Sequence, residues 1–79
     1  MEQGYFVDKN FDNQDFNRSP LPKGEYENCH FSHCQLIGVD LSEFDFTDCE
    51  FEHCDFSNAQ LKKTSFKTVN FAYCKLEQV

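Results

Sequence analysis

Large apolar side chains recur at every fifth position along the whole chain. The set is Met1, Phe6, Phe11, Phe16, Leu21, Tyr26, Phe31, Leu36, Leu41, Phe46, Phe51, Phe56, Leu61, Phe66, Phe71 and Leu76. Of the fifteen Phe and Leu residues, only Phe44 lies outside this register. An α-helix repeats about every 3.6 residues and a β-strand every 2, so neither explains an interval of five. The pattern therefore predicts a repeat architecture in which each turn of about five residues brings one large side chain inward.

Smaller side chains form a second set, two positions before each large one. From Gly24 onward, every member except Phe44 is small or of modest size, and all five cysteines belong to it. The remaining positions are mostly polar. Four such turns would make a square coil of twenty residues, and stacking at the strand spacing of about 4.8 Å would give about four coils, roughly 19 Å tall.

Two segments show the repeat most clearly: Cys29-His30-Phe31-Ser32-His33 and Cys54-Asp55-Phe56-Ser57-Asn58. A small residue, a polar residue, Leu or Phe, and two more polar residues resemble the pentapeptide repeat, and the resemblance is clearest from Gly24 to Leu76. It implies an all-β fold, a right-handed quadrilateral parallel β-helix of about four coils. We predict one domain over residues 1–79, with a looser N-terminal capping coil over 1–23 and regular coils over 24–79. Pro20 and Pro22 interrupt the pattern in the first coil, and proline is tolerated mainly at sheet edges.

Residues twenty apart should lie one above another and form the core columns. These are Phe11, Phe31, Phe51 and Phe71; Phe16, Leu36, Phe56 and Leu76; Cys29 and Cys49; and Cys34, Cys54 and Cys74. The cysteines are expected to be buried free thiols that pack as small hydrophobic groups. Phe44 lies in a small-residue slot, and we expect Gly24, in the same column, to leave space for its ring.

The C-terminal edge has no cap in this sequence, because no helix or polar segment follows Phe71 and Leu76. Solenoids normally need a terminal cap for solubility. Two explanations stay open: the edge is buried in a homo-oligomer, or the chain is part of a longer protein.

The composition around Cys29, His30, His33 and Cys34, repeated at Cys49, His53 and Cys54, is typical of a zinc site. The register argues against it, because the cysteines occupy inward slots and the histidines outward ones. We therefore expect no metal and no cofactor, and we expect His33 and His53 to stack on the outer surface. Without a carboxylate pair in a cleft, a phosphate loop or a nucleophile motif, we also expect no enzyme activity.

Fourteen acidic against seven basic side chains give a net charge of −7, which disfavours direct binding to nucleic acid. The sequence has neither an apolar run long enough to span a membrane nor an N-terminal signal segment, so a cytoplasmic location is expected. Acidic residues concentrate in the third coil: Asp40, Glu43, Asp45, Asp48, Glu50, Glu52 and Asp55. We call these seven the acidic belt; the fourth coil is basic instead, with four lysines.

The acidic belt is the candidate partner surface, and its alternative role is to keep the protein soluble. We predict a non-enzymatic protein-interaction or scaffold module whose partner is a protein of unknown identity. The resemblance implies an alternative: some pentapeptide-repeat proteins that confer quinolone resistance are acidic rods that bind type II topoisomerases in place of DNA.

Overall fold

Eight short strands make up the regular secondary structure of the computed structural model, which describes residues 4–78. They are β1 (Gly4–Val7), β2 (Asn10–Asp12), β3 (Gly24–Glu27), β4 (His30–Ser32), β5 (Asp45–Thr47), β6 (Glu50–Glu52), β7 (Ser65–Lys67) and β8 (Asn70–Ala72). Met1 and Val79, the limits of the predicted domain, lie outside the described residues. Among residues 4–78 there is no helix long and apolar enough to cross a membrane.

The strands form two parallel four-stranded sheets, β1-β3-β5-β7 and β2-β4-β6-β8, which are the first and second sides of a coil. Isolated parallel bridges define the other two sides: Asp15, Gln35, Asp55 and Lys75 form a column on the third side, and Asp40 pairs with Gln60 on the fourth. The predicted parallel β-helix is therefore confirmed. It makes about three complete turns and an incomplete fourth.

Backbone hydrogen bonds between neighbouring coils are of two kinds. Some N–H groups donate to the carbonyl nineteen residues later, as Asp8 does to Glu27 at 3.0 Å. Others donate to the carbonyl twenty-one residues earlier, as His30 does to Lys9 at 2.9 Å. Each inner coil is thereby bonded to the coils on both sides of it, which is the nearest-neighbour stabilisation expected of a solenoid.

The phenylalanine columns fill the axis of the coil. Phe11, Phe31, Phe51 and Phe71 are paired in register, with stacked ring centroids 4.7, 4.5 and 5.3 Å apart in successive steps. In the other column, Phe16, Leu36 and Phe56 are 5%, 0% and 0% exposed. At the fourth level the same columns emerge into solvent, because Phe71 is 37% and Leu76 44% exposed.

Left-handed residues mark the corners between the sides and recur every five positions, except at Arg18 and Lys23 in the first coil. They are Asp8, Asn13, Asn28, His33, Gly38, Glu43, Asp48, His53, Asn58, Lys63, Thr68, Tyr73 and Gln78, with φ from 53° to 68°. Gly, Asn, Asp and His tolerate this conformation best, and they fill most corners of the first three coils. The fourth coil instead has Lys63, Thr68, Tyr73 and Gln78, so its corners are the most strained.

Gly24 has a structural reason that the sequence pattern did not indicate. Phe44, in the same column, is buried at 3% exposure and stacks with Tyr26 at 6.1 Å. A Cβ at Gly24 would lie 2.2 Å from the carbonyl oxygen of Gly4 and 2.7 Å from its carbonyl carbon. The close approach of β1 to β3 therefore requires the glycine.

The irregularity of the first coil is confined to its fourth side. β1 and β2 pair in full register with β3 and β4, whereas no bridge joins residues 17–22 to the second coil, although Leu21 is still buried in its inward slot. There the N–H groups of Arg18 and Ser19 both donate to the Asp15 carbonyl, at 3.1 and 3.0 Å. The Tyr26 hydroxyl donates to the Pro22 carbonyl and fastens the proline segment to the second coil.

Candidate interaction face

The acidic belt surrounds the third coil and does not form one surface. Asp45 lies on the first side, Glu50 and Glu52 on the second, and Asp55 on the third. Asp40 lies on the fourth side, Asp48 at the corner between the first and second, and Glu43 at the corner between the fourth and first. All seven are at least partly exposed. Because they point in four directions, a single partner can contact only part of the belt.

The belt residues on the third and fourth sides have local structural partners. The Ser42 N–H donates to Asp40 Oδ1 at 2.9 Å, and the Ser57 N–H and hydroxyl donate to Asp55 Oδ1 at 2.9 and 2.6 Å. These bonds hold the pKa of both aspartates below the ordinary value. Glu43 accepts from Lys23 Nζ at 3.1 Å, which likewise lowers the pKa of that glutamate.

A larger acidic surface runs along the axis on the first and second sides and their shared corner. We call it the acidic face. Its carboxylates are Asp8, Asp12, Glu25, Glu27, Asp45, Asp48, Glu50 and Glu52. Against these eight stand two lysines, Lys9 and Lys67, a net charge of −6 with histidine neutral. These carboxylates lie on three successive levels, in the first, second and third coils, whereas the fourth coil contributes Lys67.

The other sides and corners carry no net charge. Within residues 4–78 they hold five acidic and five basic side chains: Asp15, Asp40, Glu43, Asp55 and Glu77, and Arg18, Lys23, Lys62, Lys63 and Lys75. Charge is therefore distributed unevenly around the axis: the first and second sides are acidic, and the third and fourth sides are neutral. This difference adds to the one between the acidic third coil and the basic fourth coil.

A groove of about 650 Å³ follows the corner in the middle of the acidic face. Asp48, Glu50 and His30 contribute to its walls. His30 Nε2 lies 3.2 Å from a Glu50 oxygen and 3.7 Å from a Glu52 oxygen. The edge of the His30 ring therefore lies against two carboxylates of the acidic face.

Two hydrogen bonds stiffen the acidic face near its N-terminal end. Asn28 Nδ2 donates to Asp8 Oδ1 at 2.6 Å across one level of the corner. The Tyr5 hydroxyl donates to Glu27, and this bond raises the pKa of Tyr5 above its ordinary value. These contacts orient carboxylates that would otherwise be free to rotate.

The cysteine column and the histidine column lie on opposite sides of the wall. All five thiols are free, and only Cys74 is not fully buried. Each Sγ donates to two backbone carbonyls, as Cys49 does to Tyr26 and Thr47 at 3.3 Å. The hydrogen bond with Cys34 and burial raise the pKa of Cys54, and burial raises that of Cys49. Cys49 and Cys54 are therefore protonated packing groups, whereas the hydrogen bond with Cys54 lowers the pKa of Cys34 to about 7.

The histidines expected to stack do so on the outer surface, and the ladder is longer than the sequence suggested. His33 and His53 stack at 4.8 Å with an interplanar angle of 1°, and Tyr73 continues the stack at 4.8 Å. Across the described part of the chain, no three His, Cys, Asp or Glu side chains are grouped to hold a metal ion. The outward positions of the sequence, compared at intervals of twenty residues, predict both the place of Tyr73 in this stack and the acidic face.

Comparison with known proteins agrees with the repeat. A family model described as pentapeptide repeat region matches residues 24–79. The fold is similar to that of a trypsin-treated variant of QnrB1, a plasmid-mediated fluoroquinolone resistance protein, with a TM-score of 0.75 and 29% sequence identity. The match covers 84% of this chain and 35% of the QnrB1 chain, so the sequence spans about a third of that protein. No curated protein matches the sequence.

Proposed function

Because the chain belongs to the pentapeptide-repeat family, we propose that it is a non-catalytic protein-binding module whose acidic face receives a basic surface of a partner protein. The observation that carries this proposal is the placement of eight carboxylates and only two lysines on two adjacent sides. Like-charge repulsion excludes direct nucleic-acid binding there, and steering of a basic protein is favoured. A cytoplasmic location is part of the proposal.

The spacing of the charges favours a partner surface that ordinarily binds DNA. Eight carboxylates over three levels, at about 4.8 Å per level, amount to roughly one charge per 1.8 Å of axis. Duplex DNA carries about one charge per 1.7 Å. A protein surface adapted to closely spaced phosphates would therefore find a comparable, if lower, density of negative charge on this face.

A type II topoisomerase is the specific candidate partner, and two observations favour it. The chain shares its fold and 29% of its aligned residues with a fluoroquinolone resistance protein. Its acidic face also runs along the rod axis over three successive levels, as a mimic of duplex DNA requires. In this proposal the protein occupies part of the DNA-binding surface of the enzyme and alters its sensitivity to quinolones.

Two double variants with the same change in net charge test whether the acidic face is the binding surface. Glu25→Gln with Glu50→Gln alters the face, whereas Glu43→Gln with Glu77→Gln alters the rest of the surface. All four glutamates are exposed. Binding to purified DNA gyrase is measured by a fluorescence titration, and supercoiling is assayed with and without a fluoroquinolone.

We expect the face variant to weaken binding several-fold and the control variant to change it less than twofold, because close charges across an interface contribute more than distant ones. Equal losses of affinity in both variants would show that only the net charge matters, and would refute the acidic face as the binding surface. If gyrase does not bind but an unrelated basic DNA-binding protein binds with this same dependence, the topoisomerase is rejected and the broader module is supported.

A further inference from the structure

The groove in the acidic face results from the order of the residues that turn one corner of the coil. Between the first and second sides, a left-handed residue such as Asp48 is followed by an inward cysteine and then by an outward residue such as Glu50. The same order in neighbouring coils produces two parallel rows of polar side chains, with the buried Cys29 and Cys49 between them. These two rows are the walls of the groove.

The third coil differs from the others at this corner. Among the residues that line the groove, only those of the third coil include a carboxylate on each wall, Asp48 and Glu50. The second coil supplies Asn28 and His30 at the same places, and the fourth coil supplies a threonine and an asparagine. The acidic pair is therefore bordered along the axis by amide, imidazole and hydroxyl groups.

Hydrogen-bond acceptors outnumber the available donors around this acidic pair. Within residues 4–78, no side chain or backbone group donates a hydrogen bond of good geometry to Asp48 or Glu50. His30 Nε2 is shielded from solvent and lies 3.2 Å from a Glu50 oxygen, but it makes no hydrogen bond within the same residues. The amide of Asn28 donates to Asp8 instead. A ligand that fits this part of the groove must therefore supply several donors.

We propose that the groove receives one arginine side chain of the partner protein, with the guanidinium group between Asp48 and Glu50. This inference rests on the proposed function and names the group of the partner that the acidic face recognises. A guanidinium group carries five N–H donors in a planar fork and stays charged at any physiological pH. It can donate to both walls at once, and arginine is among the residues that most often dominate the binding energy of an interface.

Lysine satisfies this site less well than arginine. Its ammonium group is a compact and strongly hydrated charge with three donors, so it loses more hydration for fewer hydrogen bonds. The net charge of −6 on the acidic face attracts both side chains equally over a distance. A preference for arginine therefore reports the groove, whereas affinity for positive charge in general reports the whole face.

Two double variants remove the same charge from different parts of the acidic face. Asp48→Asn with Glu50→Gln changes the groove, whereas Glu25→Gln with Asp45→Asn changes a paired column of the first side that does not line it. Circular dichroism shows whether each variant is folded. The probes are two fluorescent peptides of equal length and charge, in which glycine alternates with arginine in one and with lysine in the other. Binding is measured by anisotropy at low salt, because salt screens exposed charges.

We expect the unmodified protein to bind the arginine peptide about three- to fivefold more tightly than the lysine peptide. The groove variant should lose this preference and about five- to tenfold in affinity for the arginine peptide. The control variant should lose about twofold for both peptides and keep the preference.

Three results would overturn the arginine site: equal affinity of the unmodified protein for the two peptides, equal losses in the two variants, or no binding of the arginine peptide up to about 1 mM. Each leaves the proposed function standing if DNA gyrase still distinguishes the acidic face from the rest of the surface. Conversely, an arginine preference that only the groove variant loses would support the site even if neither gyrase nor another basic protein binds, and the proposed function alone would then be rejected.

Discussion

The strained corners of the fourth coil make a sharp prediction about stability. Thr68 has a φ of 55°, and the same corner is occupied by Asp8, Asn28 and Asp48 in the coils below it. A β-branched residue is the poorest choice for this conformation, whereas Asn tolerates it. We therefore expect Thr68→Asn to increase the free energy of unfolding.

The left-handed conformation costs an ordinary L-residue about 1–2 kcal/mol, and Asn recovers much of that cost. An increase of about 1 kcal/mol should raise the melting temperature by roughly 4–8 °C for a domain of this size. Thermal and urea unfolding followed by circular dichroism measure both quantities. The fourth coil must unfold together with the rest for the full effect to be seen, and coincident transitions at two wavelengths establish this.

Two further variants separate backbone strain from a general preference for Asn. Asn58 is exposed with a φ of 60°, so Asn58→Thr should lower stability by a similar amount. Thr47 lies in β5, where the backbone is extended, and Thr47→Asn should also be destabilising because Asn is a poor strand former. If Thr68→Asn and Thr47→Asn shift stability in the same direction, the explanation by backbone strain is refuted.

Three other predictions concern the core. Gly24→Ala should cost about 1–3 kcal/mol, because its Cβ meets the Gly4 backbone at 2.2 Å. Gly38 has open space around it and a φ of 68°, so Gly38→Ala should lower the free energy of unfolding by only about 1 kcal/mol. Urea unfolding that showed a larger loss for Gly38→Ala than for Gly24→Ala would contradict this explanation. Phe51→Leu should lower the free energy of unfolding by about 1–2 kcal/mol. Phe71→Leu should lower it less, since the ring of Phe51 is 0% and that of Phe71 37% exposed. Equal losses measured by calorimetry would contradict the packing described for this core column. Burial and the nearby Cys29 raise the pKa of Tyr26. Above about pH 10 the folded state therefore retains a proton that the unfolded state loses. The free energy of unfolding should fall there by up to about 1.4 kcal/mol per pH unit. Tyr26→Phe should flatten that slope in urea unfolding between pH 10 and 11, and an unchanged slope would show that Tyr26 does not cause it.

The five-residue period was enough to predict the columns and the parallel pairing of residues twenty apart, because each large side chain has one inward slot. It did not predict the left-handed corners, since Lys63 and Thr68 carry no local preference for them. The need for a glycine at position 24 could not be predicted for a related reason. It depends on the close approach of the Gly4 backbone, and a pattern of side-chain types contains no information about backbone distances.

The candidate site was predicted only in part, because acidic residues were counted along the chain. Asp45, Asp48, Glu50 and Glu52 form a dense run in sequence and were found. Glu25 and Asp8 lie on the same face but belong to earlier coils, where nearby lysines in sequence hide them. Only the pairing of Glu25 with Asp45 across two strands shows that they are neighbours.

The four-sided coil restricts how the length of this protein can change. Inserting or deleting five residues keeps every large side chain in an inward slot, so the interior can still pack. Every residue after the change, however, moves by a quarter turn, and carboxylates that faced one direction are distributed over two. Only a change of twenty residues preserves both the interior and the alignment of the exterior, so selection for a binding surface should tolerate whole-coil duplications and reject single-repeat ones.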